Sequence, residues 1–245
     1  MRKSGILLAI SSIPSKYGIG SFSKEAYEFV DFLEKAGQSL WQILPLGPTG
    51  YGDSPYQSFS TFAGNPYYID LEEFITKGYL TKEECDNSDL GDGEFVDYEK
   101  IFHAKFELLK KAFLKSNLEE NRDYQEFIEK NEGWLDDYAL FMALKDSFGG
   151  ISWIEWDNDI KLRKKSVLAK YRKELAQEIA FYKFQQYYFA KQWKELKGYA
   201  NDKGIEIVGD IPIYVALDSA DTWANPQVFQ VDEECIPIAV AGCPP

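Results

Sequence analysis

The segment from Leu46 to Pro66 combines aromatic rings with short polar side chains, which is the mixture that sugar recognition requires. A ring can lie against the apolar C–H face of a pyranose, while hydroxyl, amide and carboxylate groups bond to the sugar hydroxyls. The rings are Tyr51, Tyr56, Phe59 and Phe62, and the polar groups are Asp53, Ser54, Gln57 and Ser58. A long turn whose rings fill the end of a sheet has the same composition, so composition alone leaves both interpretations open.

A carboxylate, Asp210, ends the mostly apolar run 205–210, which predicts a buried strand. Active sites of barrels and doubly wound sheets lie beyond the carboxyl ends of their strands, so this position suits a site residue. A loop or helix-capping carboxylate is the alternative interpretation.

The composition does not favour a Ser-His-Asp triad or a histidine-rich metal site. His103 is the single histidine, and its helical surroundings predict a surface or half-buried helix residue rather than a base or a ligand. The cysteines, Cys85, Cys235 and Cys243, are odd in number and share no CxxC spacing. They predict free thiols in a reducing compartment.

The charge balance excludes several classes of partner. Lys and Arg number 27 against 40 Asp and Glu, which gives a net charge of −13. Such a field repels nucleic-acid phosphates and anionic membranes, whereas a neutral substrate fits it. The apolar run 5–10 is shorter than the ~7–15 residues of a signal-peptide core, and no longer stretch reaches the ~18–20 residues of a membrane span. We therefore expect a cytoplasmic protein without membrane contact.

Two apolar runs, 5–10 and 40–44, predict strands buried on both faces. Between them Ser23 can cap a helix that ends near Gly37. This strand–helix–strand unit predicts a parallel sheet, to which the run 205–210 adds a third strand.

A long helical region separates the second predicted strand from the third. Apolar residues at helical spacing predict one helix through Phe102 and Phe113 and another from Leu168 to Leu196. A short strand and helix are predicted within 67–78, a helix start at 218–221, and β-like runs at 228–231 and 236–240. The predicted segments are 1–80 (start of a barrel), 81–200 (helical subdomain) and 201–245 (third strand and loops).

Three stretches resemble 4-α-glucanotransferases of the amylomaltase or disproportionating-enzyme type, glycoside hydrolase family 77. They are GILLAISSIPSKYGIG, PLGPTGYGDSPYQSFSTFAGNP and GDIPIYVALDSADTWANPQVF (residues 5–20, 45–66 and 209–229). The resemblance implies an α/β fold, here an incomplete (β/α)8 TIM barrel of three βα units with a large helical insertion between strands 2 and 3. It also implies transfer of an α-1,4-glucan segment to another glucan or glucose with retention of configuration.

The resemblance implies roles for individual residues as well. Tyr56 is expected to stack or hydrogen-bond at the donor side with Ser54 beside it, and Tyr51 at a more remote glucan-binding surface. Asp53 and Gln57 are further candidates for substrate binding. Asp210 matches an acid that supports the nucleophile and its arginine without attacking the sugar.

The nucleophilic aspartate and the acid/base glutamate of the family have no counterpart in this chain, and we expect them beyond residue 245. The chain should therefore be an N-terminal part that is inactive alone and is completed by the rest of the barrel. Chemistry based on carboxylates implies no metal and no organic cofactor. The alternatives are a non-catalytic α-glucan-binding module and a structural helical protein with a βαβ appendage.

Overall fold

The structure is a computed structural model that describes residues 2–50, 53–91, 94–239 and 242. Contacts between Cα atoms divide the chain into two units. The first unit consists of Met1–Leu46, Gly64–Tyr124 and Phe184–Ile211. The second consists of Gly47–Ala63, Gln125–Lys183 and Pro212–Pro245.

The first unit contains a three-stranded parallel sheet, as the apolar runs predict. Its strands are β1 (Gly5–Leu7), β2 (Leu40–Gln42) and β3 (Glu206–Val208), in the spatial order β1-β2-β3. Ile6 pairs with Trp41 and Trp41 with Ile207. Within the described residues β1 and β3 are therefore both edge strands.

Within the described residues these strands are buried on one face only, whereas the apolar runs predict burial on both. Trp41 is fully buried and packs against Phe29 of the first helix, with ring centroids 5.2 Å apart. On the opposite face, Leu7 is 57% exposed and Val208 is 40% exposed. An apolar run does not reveal which of its alternating side chains a helix will cover, so the sequence could not distinguish one covered face from two.

Helices are the predominant regular elements of the described chain. They are α1 (Lys24–Lys35), α2 (Glu72–Thr76), α3 (Lys82–Asp86), α4 (Tyr98–Lys115), α5 (Arg122–Ser147), α6 (Asn158–Lys161), α7 (Lys165–Glu174), α8 (Ala176–Asp202) and α9 (Ala220–Ala224). Helix α1 has Ser23 as its N-cap residue and Ala36 as its C-cap residue, and Gly37, whose φ is +67°, follows. The amides of Gly37 and Gln38 donate to Glu34 O and Leu33 O, the two bonds of a Schellman motif.

Two helix predictions need correction. The predicted helix from Leu168 to Leu196 is divided into α7 and α8 at Leu175, whose φ and ψ are −105° and 24°. In α4 the buried face is rotated from the predicted aromatic stripe, because Phe102 is 50% exposed while Lys105 is fully buried. The buried lysine escaped prediction because its partner is a distant backbone carbonyl.

The predicted short strand after residue 66 is wrong too. Pro66–Tyr68 form a 3₁₀ turn, in which the Asn65 side chain accepts a hydrogen bond from the amide of Tyr67. The two β-like runs near the end form a single antiparallel bridge in their described residues, between Val231 and Pro237, and Val240 lies outside those residues. The predicted helix start at 218–221 is confirmed, since Ser219 caps α9.

The second unit has its own apolar core between α5, α6, α7 and α9. Fully buried rings include Phe141, Trp153 and Trp223, and Trp223 Nε1 donates to Ile160 O at 3.2 Å. The amide of Ala220 donates to Phe59 O at 2.8 Å, which links the start of α9 to the loop that follows β2. None of the helices in the described residues is both long and apolar enough to span a bilayer.

Candidate functional site

The candidate sugar-binding segment is a closed loop whose ends are held together. The amide of Asn65 donates to Leu46 O at 2.8 Å, so the loop returns to the residue at which it starts. Gln186 of α8 accepts from the amide of Gly64 at 2.7 Å and donates to its carbonyl at 2.9 Å. A β-carbon at Gly64 would lie 2.1 Å from the ring of Phe189, so the close approach to α8 requires glycine.

Side chains also hold the chain that leaves this loop. Gln192 bonds both the amide and the carbonyl of Asp70, at 2.8 and 3.2 Å, and the ammonium of Lys105 donates to Tyr67 O. Burial lowers the pKa of Lys105 to about 7, against the opposing influence of the Asp70 charge. Burial also raises the pKa of Asp70 to about 6. These side chains satisfy the backbone groups that a strand ladder would have paired.

The loop folds back on itself as an irregular hairpin. Thr49 and Ser58 form an antiparallel bridge, and the amide of Gly50 donates to Gln57 O at 3.1 Å. At the tip, the amide of Gln57 donates to Ser54 O at 3.1 Å. The Ser54 hydroxyl oxygen accepts from the amide of Tyr56 at 3.3 Å. Ser54 therefore shapes the turn that presents Tyr56.

The tip presents an aromatic ring beside polar groups. Tyr56 is 45% exposed, and Gln57 is exposed next to it. Asp53 is half-buried with a φ of +53°, and burial raises the pKa of its carboxyl while a hydrogen bond from Thr49 acts in the opposite direction. Tyr51 lies outside the described residues. An exposed ring with neighbouring amide, hydroxyl and carboxyl groups can bind a neutral polyhydroxylated ligand.

Asp210 belongs to the first unit, whereas the loop residues 53–57 belong to the second. It lies two residues after Val208, the last residue of β3. Its Oδ1 accepts from the amide of Ile211 at 2.9 Å, and the residue is partly exposed.

Sequence reasoning missed Asp221, which the structure places against the candidate loop. Asp221 Oδ2 accepts from the amide of Thr61 at 2.7 Å. Burial raises the pKa of Asp221, and the hydrogen bonds with Thr61 act in the opposite direction. The run 209–229 that carries the family resemblance contains this aspartate, but nothing in the run alone indicates its partner.

The remaining candidates for reactive groups stand apart from the loop. His103 is exposed on α4, where its helical surroundings predict it. Cys85 and Cys235 are buried free thiols, and burial raises the pKa of Cys85 to about 11, which suppresses the reactive thiolate. Among the residues that the structure describes, no group of three or more His, Cys, Asp or Glu could hold a metal ion.

Comparison with known proteins identifies the relatives of this chain. The profile of the 4-α-glucanotransferase family matches residues 8–245. The 4-α-glucanotransferase of Clostridium butyricum is 54% identical over 238 residues, which cover 96% of this chain and 49% of that protein. The 4-α-glucanotransferase of Streptococcus pneumoniae is 49% identical over 247 residues, which cover 100% of this chain and 49% of that protein.

A solved structure extends the likeness to the fold. Amylomaltase from Streptococcus agalactiae, determined in complex with acarbose, matches with a TM-score of 0.95 at 46% identity, over 100% of this chain and 50% of that one. The chain thus spans about half the length of these relatives. On this evidence of sequence and fold, the chain belongs to the 4-α-glucanotransferase family.

Proposed function

We propose that the chain is the N-terminal half of a 4-α-glucanotransferase, which transfers a segment of an α-1,4-glucan to another glucan or to glucose with retention of configuration. The observation that carries the proposal is the match to amylomaltase along the whole chain, at a TM-score of 0.95. Acarbose occupies the S. agalactiae protein. We extend carbohydrate binding to this chain, whose net charge of −13 suits a neutral ligand.

In this proposal the sheet is the first part of a (β/α)8 barrel. The three parallel strands would be barrel strands 1–3, with 1–80 as the start of the barrel, 81–200 as a helical insertion and 201–245 as the third strand and its loops. The exposed face that carries Leu7 and Val208 supports this, because the inner face of a barrel is covered only when the remaining strands close it.

The loop at 47–63 would form part of the donor side. The ring of Tyr56 would stack on a glucose unit or bond to it, and Ser54, Asp53 and Gln57 would offer groups for its hydroxyls. Tyr51 would contribute to a more remote glucan-binding surface. A stacked ring contributes about 0.5–1.5 kcal/mol beyond the area that it buries, so Tyr56 would bind substrate without reacting with it.

The covalent chemistry would belong to the other half of the protein. Retaining transfer needs two carboxyl groups about 5–5.5 Å apart that flank the scissile bond, one as nucleophile and one as acid and base. Asp210 would support the nucleophile and its arginine, and its negative charge would stabilise the oxocarbenium-like transition state. No step of this chemistry requires a metal or an organic cofactor.

Incubation of the full-length protein with maltotriose tests the proposal. We expect glucose together with maltooligosaccharides longer than maltotriose, with NMR detecting only α-linkages in the products. The polypeptide of residues 1–245 alone should yield neither. Release of glucose and maltose without longer products would contradict transfer. Glucan binding by the full-length protein without any turnover would instead support a non-catalytic glucan-binding module.

A further inference from the structure

A buried lysine of the second unit contacts the candidate sugar-binding loop and the chain that follows β3. Lys145 lies in the last turn of α5, and its side chain is 8% exposed. Its ammonium donates to Asp218 Oδ2 at 2.6 Å and to Ile151 O at 3.2 Å, and it lies 5.2 Å from the centre of the Phe59 ring. One cation therefore joins a carboxylate, a carbonyl and the face of an aromatic ring.

Further bonds fix the carboxylate that this lysine contacts. Asp218 Oδ1 accepts from the amide of Trp153 at 3.3 Å, and Trp153 Nε1 donates to Leu217 O at 2.7 Å. The Thr222 hydroxyl donates to the same carbonyl. Asp218 is thus held in one position, and it can in turn fix the ammonium of Lys145.

The hairpin arm that carries Phe59 is held on several sides. The carbonyl of Phe59 accepts from the amide of Ala220 at 2.8 Å, and the amide of Thr61 donates to Asp221 Oδ2. The ring lies under the Lys145 ammonium. Because Phe59 is three residues from Tyr56 on a hairpin that the Thr49–Ser58 bridge closes, a shift of this arm moves the tip.

We infer that Lys145, paired with Asp218, is a positioning residue for glucan binding. It ties the chain after β3 to the Phe59 arm of the loop and so fixes the ring of Tyr56. A buried ion pair is weak evidence for stability, because apolar residues of the same volume stabilise a core as well or better. The inference rests on the proposed function, because the effect on substrate follows only if Tyr56 binds glucan.

Hydrogen exchange tests the link without reference to activity. In Lys145→Met, which keeps the stem and removes the charge, the amides of Gly50, Gln57, Thr61 and Ala220 should exchange several-fold faster, while core amides of α5 such as Leu140 keep their rates. Lys183→Met is the matched control, since it breaks another ion pair to α5, with Asp136. If these four amides exchange equally fast in the two variants, the inference is overturned. This outcome does not depend on which activity the full-length protein has.

Kinetics of the full-length protein test the consequence for substrate. Lys145→Met should raise KM for maltotriose several-fold with a much smaller change in kcat, the signature of lost uniform binding, and Lys145→Arg should restore KM. In a Tyr56→Ala background, Lys145→Met should add little, because it acts through that ring. Additive effects would overturn the inference. If Lys145→Met does not fold, Asp218→Asn should reproduce the KM effect, and an unchanged KM in that variant would overturn it.

Discussion

The segments that follow β2 and β3 differ in how fully other residues of this chain surround them. The loop at 47–63 folds into a hairpin, with its arms bridged between Thr49 and Ser58. The segment after β3 instead exposes apolar side chains, with Ile211 80% exposed and Ile213 89% exposed. Within the described residues, bonds inside the first segment and to α8 fix its shape, whereas apolar side chains of the second are left in contact with solvent.

This difference matches the roles proposed for the two segments, substrate binding for the first and electrostatic support of the reaction for the second. A loop that binds substrate benefits from rigidity before the substrate arrives, because ordering it on binding would cost affinity. A carboxylate such as Asp210 needs a cationic partner to act electrostatically in a closed site. We propose that this partner is an arginine in the other half of the protein.

The largest effect should come from Asp210. In the full-length protein Asp210→Asn should lower kcat by roughly 10²-fold or more, the scale of one lost preorganised electrostatic group. The asparagine keeps the shape, so the melting temperature should change little. Asp202→Asn, at the exposed end of α8, is the control. A kcat for Asp210→Asn within about twofold of the wild type would identify Asp210 as an ordinary loop carboxylate.

The anchor of the β2 loop should show the next largest effect. In Gly64→Ala the new methyl group would overlap the ring of Phe189, and overpacking of this kind costs about 1–3 kcal/mol of unfolding free energy. Denaturant unfolding measures the change. Gly133→Ala provides the contrast, because a β-carbon there meets no atom within 4 Å, and the substitution in α5 should stabilise by about 0.5–1 kcal/mol. Equal changes in the free energy of unfolding for both variants would show that the contact between Gly64 and Phe189 is not close enough to require glycine.

A smaller effect is expected at the tip. Tyr56→Ala in the full-length protein should weaken glucan binding several-fold, in line with the loss of about 1 kcal/mol of stacking, with little loss of stability. Phe32→Ala, on the exposed side of α1, removes a ring of similar exposure, 54% against 45%, and should leave kinetics unchanged. Unchanged kinetics with a sharply lower melting temperature in Tyr56→Ala would show that the ring only fills space.

Local patterns predicted the elements that position the site. Short apolar runs predicted the parallel strands, and Gly37 predicted the end of the helix between the first two. Both predictions succeeded because strand length and helix termination depend on neighbouring residues. The anchors of the loop could not be found this way. Lys105, Gln186 and Gln192 bond to backbone groups of a segment far away in sequence, and helical periodicity does not distinguish such buried polar residues from solvated ones.

The roles of the site residues came from the resemblance of three stretches to a family, and the family is confirmed while the roles remain predictions. Spacing alone gave a loop of rings and polar groups that suited either sugar binding or packing. The bonds from Ala220 and Asp221 to this loop depend on tertiary structure, so no pattern within the loop could have revealed them.

We propose that residues 1–245 carry a preformed glucan-binding loop but not the reacting carboxylates. Isothermal titration of this polypeptide with maltoheptaose, followed by product analysis of the same samples, tests both parts at once. We expect saturable binding that weakens several-fold in Tyr56→Ala, and no new oligosaccharides in either sample. Binding that Tyr56→Ala leaves unchanged, or any formation of longer glucans by the purified polypeptide, would contradict it.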